Sequence, residues 1–334
     1  MTRIPVLEIG GTHVTAALVD TLTGLPVAGS VVRRPVAADA AAPEILDSFA
    51  EAARGTAVPG PAHWGVAVPG PFDYASGVGR FRGIGKFESL DGVDVRAELL
   101  ARLPHAEAVS FLNDADAFAI GEHHNGAAAQ HRRAVCITLG TGVGSSFLQD
   151  GQPVTEGPEV PPEGRAHRVD ADGLPLEEVV SRKAIRARYA RAAGLGETSG
   201  APDVRTIAEL ARAADPNAAA AIDGCFTTLG RALAPWCAAF RPEVMVVGGS
   251  MAASWDLIGP ALRAGLTAGA AAEGPRAGAV VAAMALRTAL RPDDAPLTGA
   301  ARWVLTRGAE HRSPAYGPAP AGAPTAGVQR VVRP

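Results

Sequence analysis

Apolar residues recur along this chain in two rhythms, and each change of rhythm marks the edge of an element. Short continuous or alternating runs bounded by Gly, Pro or Asn predict strands: "VLEIGGTHVTAALVD" from residue 6, "HWGVAVPG", "AVSFLN", "AVCITLGTGVGSSFLQ" and "PEVMVV". Between them, apolar positions three and four apart predict helices in "APEILDSFAEAAR", "VDVRAELLARL", "LEEVVSRKAIRARYARAAG", "VRTIAELARAA", "AAAAIDGCFTTLGRALAPWCAAF" and "PLTGAARWVLTRG". Strands alternating with helices make the class α/β.

Two of these stretches echo one another. "VLEIGGTHVTAALVDTLTGLPV" and "AVCITLGTGVGSSFLQDGQPV" both read as a strand, a Gly/Thr turn and a second strand. Each then reaches a glycine turn and a third strand, beginning at Val27 or Val154. The chain is therefore expected to hold two similar lobes. Residues 1–112 would form a small first lobe, joined by a returning helix at about 297–308, and residues 113–296 a larger second one. The Pro-, Ala- and Gly-rich stretch 311–334 reads as a mobile tail.

Charge narrows the partners. Among 334 residues the net charge is −3, with no basic run, so nucleic acid and anionic membrane surfaces are not expected and a small-molecule substrate is. No apolar stretch reaches the length of about 18 residues that a membrane helix needs. Cys136, Cys225 and Cys237 form no CxxC pair or repeated framework, which fits reduced core thiols in a cytoplasmic protein.

Glycine at a strand–turn–strand junction lets backbone N–H groups approach a phosphate, and a neighbouring threonine adds a hydroxyl donor. Gly10, Gly11 and Thr12 fit that role, as do Gly140, Thr141, Gly142 and Gly144; each set alone reads first as a plain hairpin turn. At matching places in two similar lobes they point to a nucleotide held between them. Gly248 and Gly249 after "VMVV" would offer a surface for adenosine. In "FLNDADAFAIGE" the Asn113–Asp114 pair ends a strand and starts a helix. Either residue could simply cap that helix, but a carboxylate there could also take a proton from an attacking hydroxyl.

Taken in order, "EIGGT", "GVAVPGP", "LNDADAFAIGE", "LGTGVG", "PEVMVVGGS" and "DDAPLTGAA" resemble the ROK family (repressors, open reading frames and sugar kinases) over about residues 5 to 305. The resemblance implies two ribonuclease-H-like lobes of the actin/hexokinase ATPase architecture, with ATP and a sugar in the cleft and a homodimer as the assembly. By the same resemblance Asp114 is the catalytic base and Asn113 and Gly70 lie at the sugar. The glycine sets 10–12 and 140–144 are then phosphate loops, and Gly248–Gly249 the adenosine segment.

The chain departs from that family in three places. The family's ExGH element, VDxxG turn and CxCGxxGCLE zinc loop correspond here to "EGRAHRVDADGLPLEEVVSRKAI". With "VDADG" in register, Glu163 takes the acidic position, Ala166 stands where the zinc-binding histidine belongs, and the cysteine block is missing. Loss of the ligands together predicts no zinc site. Glu177 falls at a second sugar-binding glutamate, and a one-residue shift would bring His167 into the site instead, although a lone histidine is more often surface or core. In "FRGIGKFESLDGV", Gly83-Ile84 and Phe87 stand where relatives have Asn-Leu and Trp, which puts standard glucose recognition in question. Glu8 replaces an aspartate that acts on Mg²⁺ through water; it is either a tolerated variant or a retuned metal contact.

The expected activity is ATP·Mg²⁺-dependent phosphorylation of a primary hydroxyl on a hexose-like ring. "LEIGGTHVTAALVD", the missing zinc loop and the Ala-, Arg- and Gly-rich style are similar to the C7-cyclitol kinases of acarbose- and validamycin-type pathways, which act on the 7-hydroxyl of valiolone- or valienol-like rings. A glucose or kanosamine 6-kinase is the alternative. A non-catalytic sugar sensor or repressor is less expected, because the first phosphate-loop strand already starts at Val6, with no room before it for a helix-turn-helix module.

Overall fold

The structure, a computed structural model, describes residues 3–196 and 200–310, with side chains to residue 306. The 311–334 stretch read as a tail lies outside the described residues.

The echo in the sequence is an echo in topology. In the first sheet, β1 (Arg3–Ile9) and β2 (His13–Asp20) form an antiparallel hairpin and β3 (Val32–Pro35) flanks β2. β4 (Ala62–Val68) and β7 (Ala106–Asn113) add parallel strands beyond β1, giving the order β3-β2-β1-β4-β7. The second sheet repeats this with β8 (Arg133–Leu139), β9 (Val143–Gln149), β10 (Gln152–Pro153), β13 (Val244–Gly248) and β14 (Ala285–Thr288), in the order β10-β9-β8-β13-β14. Short ribbons β5 (Phe72–Asp73) with β6 (Val78–Gly79), and β11 (Asp170–Ala171) with β12 (Leu174–Pro175), lie outside the two sheets.

The third strands start elsewhere than expected, at Val32 and Gln152. Yet Val27 N–H donates to Leu18 O and Val154 N–H to Phe147 O, both at 2.7 Å, so the two expected positions do pair with the second strand. In the first lobe the turn then runs on, stapled by Ser30 Oγ, which donates to Val27 O.

Helices cover both sheets: α1 (Ala42–Arg54), α2 (Val95–Arg102), α3 (Asp114–Asn125), α4 (Leu176–Val179), α5 (Arg182–Ala192), α6 (Val204–Arg212), α7 (Pro216–Phe240), α8 (Trp255–Glu273), α9 (Pro275–Ala283) and α10 (Ala295–Glu310). The helix expected across "LEEVVSRKAI" is two, because Ser181 leaves the helical conformation and its hydroxyl accepts from Ala184 N–H to cap α5.

α3 and α10 lie between the sheets, sharing one core with Val6 and Val19 of the first and Cys136 and Val246 of the second. Their backbones touch: a Cβ on Gly299 would overlap the Ala117 carbonyl, and one on Gly121 the Ala295 carbonyl. The three cysteines are buried and unbonded, and burial pushes the Cys225 and Cys237 thiols up to about 12. Among the described residues no helix is long and apolar enough to cross a membrane.

Candidate functional site

The parallel strands direct the site. β1, β4 and β7 end on one edge of the first sheet, where Glu8 lies level with Ala67 and Val68 with Asn113. On the second sheet Gly248 lies level with Thr138, so β8 and β13 also end together. Ligands of open α/β sheets bind beyond such strand ends. α3 begins there, and Ala115 in its first turn is 3.1 Å from where a Cβ on Gly144 would stand.

Asn113 caps α3: its Oδ1 accepts from Ala115 N–H at 3.0 Å, while its amide nitrogen donates to Tyr74 Oη at 2.9 Å. Tyr74 donates in turn to Val68 O, and Gly70 backs onto this pair, since a Cβ there would lie 3.4 Å from Tyr74 Oη. Asp114 Oδ1 shares the Ala115 N–H at 2.9 Å, and Oδ2 makes no hydrogen bond among the described residues. The cap thus falls to Asn113, and Asp114 keeps one carboxylate oxygen without a hydrogen bond among the described residues. Burial pushes the Asp114 carboxyl above the usual carboxylate range, while Lys86 and Arg165 pull it back.

The two Gly/Thr hairpins have matching construction. Gly10 N–H donates to His13 O at 2.8 Å and Gly140 N–H to Gly142 O at 3.0 Å, and Thr12 and Thr141 are exposed at the tips. None of Gly10, Gly11, Gly140, Gly142 and Gly144 has a positive φ; clear space, not special torsion, is what glycine supplies here. Beside Thr12, Arg33 donates to His13 Nε2 at 2.8 Å. A guanidinium cannot accept, so the His13 proton sits on Nδ1 and is given to Thr12 Oγ1 at 3.1 Å. The Thr12 hydroxyl proton is thereby left to donate outward.

Gly248 and Gly249 serve packing first. A Cβ on Gly248 would run into the Phe118 ring, and one on Gly249, where φ is +82°, into the Leu139 backbone. The strand end thus lies flush against the second hairpin and α3.

The remaining predicted residues gather on the second lobe. His167, in a turn at Ala166–Arg168, is half-buried, and Glu177, Arg168, Arg165 and Glu163 surround it; burial pushes its pKa down. Glu163 is exposed and pairs with Arg168 at 3.1 Å. Glu177 accepts from Val143 N–H at 3.3 Å and lies directly over Gly142, so it occupies an amide of the second hairpin.

Sequence reasoning did not single out Tyr74, Lys86, Arg165, Asp116, His13 or Arg33. The only local sign was the second acid of "NDAD", two positions after Asp114 on the same helix. It forms a buried bidentate pair with Arg165.

Glu8 is recessed at the end of β1 and hydrogen-bonded to Thr15; burial and the nearby Asp114 charge both raise its pKa. Glu8, with the Asp114 charge felt beside it, presents oxygen donors only, which suits a hydrated Mg²⁺. Among the described residues no group of three His, Cys, Asp or Glu is set to enclose a metal.

The ROK family pattern matches residues 5–307. A glucokinase of Thermotoga maritima is 29% identical over 238 residues, covering 66% of this chain and 72% of the relative. A glucokinase of Streptomyces coelicolor is 30% identical over 277 residues, covering 75% and 83%. A ROK hexokinase from Thermus thermophilus shares the fold with a TM-score of 0.67 at 25% identity, covering 92% of this chain and 100% of that one. The duplicated sheets are those of the actin-like ATPase fold, and the chain belongs to the ROK family.

Proposed function

We propose that this chain is an ATP-dependent kinase that phosphorylates the exocyclic primary hydroxyl of a hexose-like ring. The observation that carries this reading is Asp114, poorly solvated and with one carboxylate oxygen free, at the start of the helix that packs against the second Gly/Thr hairpin. The acceptor hydroxyl gives its proton to Asp114 as its oxygen attacks the γ-phosphorus, and ADP leaves with the electron pair of the broken bond. Backbone amides of both hairpins and the Thr12 hydroxyl bind the phosphates, Asn113 and Gly70 border the ring, and Glu8 would hold Mg²⁺ through its waters. When bound, the metal would supply charge neutralisation on the phosphates.

For the acceptor, a C7-cyclitol of valiolone or valienol type is proposed ahead of glucose. Supporting this are the changed loop at 82–90 and the Arg165–Asp116 pair beside the base. The test is ADP release with glucose, kanosamine, N-acetylmannosamine, 2-epi-5-epi-valiolone and valienol. Preferred turnover of the cyclitols is expected; efficient turnover of glucose alone would refute the cyclitol assignment, and turnover of none would refute the kinase.

A further inference from the structure

The loop between Phe81 and Leu90 is built to present one side chain. Phe81 and Phe87 are buried with ring centroids 5.6 Å apart, and Phe87 also meets Phe49 at 6.4 Å. The Phe87 N–H donates to Ala38 O at 2.6 Å, and Ser89 Oγ to Ala40 O at 2.8 Å. Gly83 and Gly85 have φ of +73° and +76°, with no atom within 4 Å of either Cβ position, so conformation and not crowding requires glycine at both. Glu88 Oε1 accepts from Gly85 N–H at 2.9 Å and closes the turn.

Lys86 is what this turn displays. It is half-buried, and its Cδ lies 3.7 Å from the Cβ position of Gly11 in the first hairpin. Of the charges acting on Asp114, it is the one that most lowers its pKa. Among the described residues it forms neither an ion pair nor a hydrogen bond, whereas Arg165, the other cation beside Asp114, is committed to Asp116. An ammonium carried on a stem that packs at the first Gly/Thr hairpin, and whose field reaches Asp114, can stabilise charge on the oxygens of a transferred group.

Resting on the kinase reading above, we propose that Lys86 is a catalytic residue that binds the terminal phosphoryl group during transfer. Its Nζ stays protonated throughout. The acceptor proton goes to Asp114, the acceptor oxygen–phosphorus bond forms, and the bond to the β-phosphate oxygen breaks with its electrons leaving on ADP.

The experiment compares wild type, Lys86→Met and Lys86→Arg for calorimetric binding of ADP and of AMP-PNP with Mg²⁺. Steady-state kinetics follow with whichever of the five acceptors above turns over fastest. Lys86→Met should leave ADP affinity within twofold, weaken AMP-PNP at least fivefold and lower kcat about 100-fold. The acceptor KM should stay within threefold, and Lys86→Arg should recover part of kcat. Retained ADP binding also reports that the variant is folded. Equal weakening of both nucleotides, an effect confined to the acceptor KM, or an unchanged kcat would each overturn the proposal while leaving the kinase reading standing. A wild-type protein that binds neither nucleotide would sink both.

Discussion

Arg165 NH2 lies 2.7 Å from Asp116 Oδ2, and NH1 lies 3.1 Å from Oδ1, so one bidentate pair ties the Glu163–His167 segment to the helix that carries Asp114. NH1 also donates to Ser145 O on β9, which locks the guanidinium plane. The two side chains are 13% and 11% exposed, so removing either partner strands a charge in a poorly solvated place. Arg165→Met should cost about 3 kcal/mol of stability, with Asp116→Asn similar in sign. The double variant should cost less than the sum of the two. Urea denaturation measures all three; simple additivity would show that the pair is not a unit.

Asp114 should be limiting for rate and costly for stability. Burial raises its folded pKa, so above the unfolded value its charge opposes folding, and that cost disappears as pH falls through the folded pKa. Asp114→Asn is therefore expected to abolish transfer while raising the thermal midpoint and leaving ATP binding intact. In the wild type, kcat/KM should fall on the acid side at a pH above the usual carboxylate range. Removing the Arg165 charge should move that limb higher still. An active Asn variant would remove Asp114 from the role of base.

The Arg33–His13–Thr12 chain gives a prediction for nucleotide affinity. Burial and then Arg33 hold the His13 pKa below its ordinary 6.5, so the imidazole is neutral at pH 7 and can accept from Arg33. His13→Ala should raise the KM for ATP severalfold with little change in the acceptor KM, because the Thr12 hydroxyl loses its orientation. Steady-state kinetics at pH 7 would check it; an unchanged KM for ATP would show that the chain does not orient Thr12.

Glu8 can be tested by length. Glu8→Asp withdraws the carboxylate by one methylene from Thr15 and from the side of Asp114. The Mg²⁺ concentration for half-maximal rate should change threefold or more, with kcat at saturating Mg²⁺ within tenfold. An unchanged Mg²⁺ dependence would make Glu8 a tolerated variant only.

The crossing of α3 and α10 has no room for a methyl group. In Gly299→Ala the new carbon would overlap the Ala117 carbonyl, a backbone atom that cannot rotate away. The helices must separate, at a cost of about 2 kcal/mol. Chemical denaturation would show it; a neutral result would mean that the crossing gives way more readily than its geometry suggests.

The sequence by itself determined the α/β class, the duplication and the placement of both Gly/Thr hairpins. These are local matters: strand periodicity, glycine at a turn, an Asn–Asp pair at a strand-to-helix junction. It was less sure wherever a single polar atom decided the outcome, as at Ser181, whose hydroxyl cuts one expected helix into two. Only the tertiary structure decided what surrounds Asp114. Lys86 comes from a loop 28 positions earlier and Arg165 from a turn 51 positions later, and neither sits in a motif that marks it. Their approach depends on how α3 seats between two sheets, and on an aromatic cluster that aims the loop at 82–90. Electrostatic partners of a buried carboxylate are chosen by distance in space, and periodicity along the chain carries no record of it.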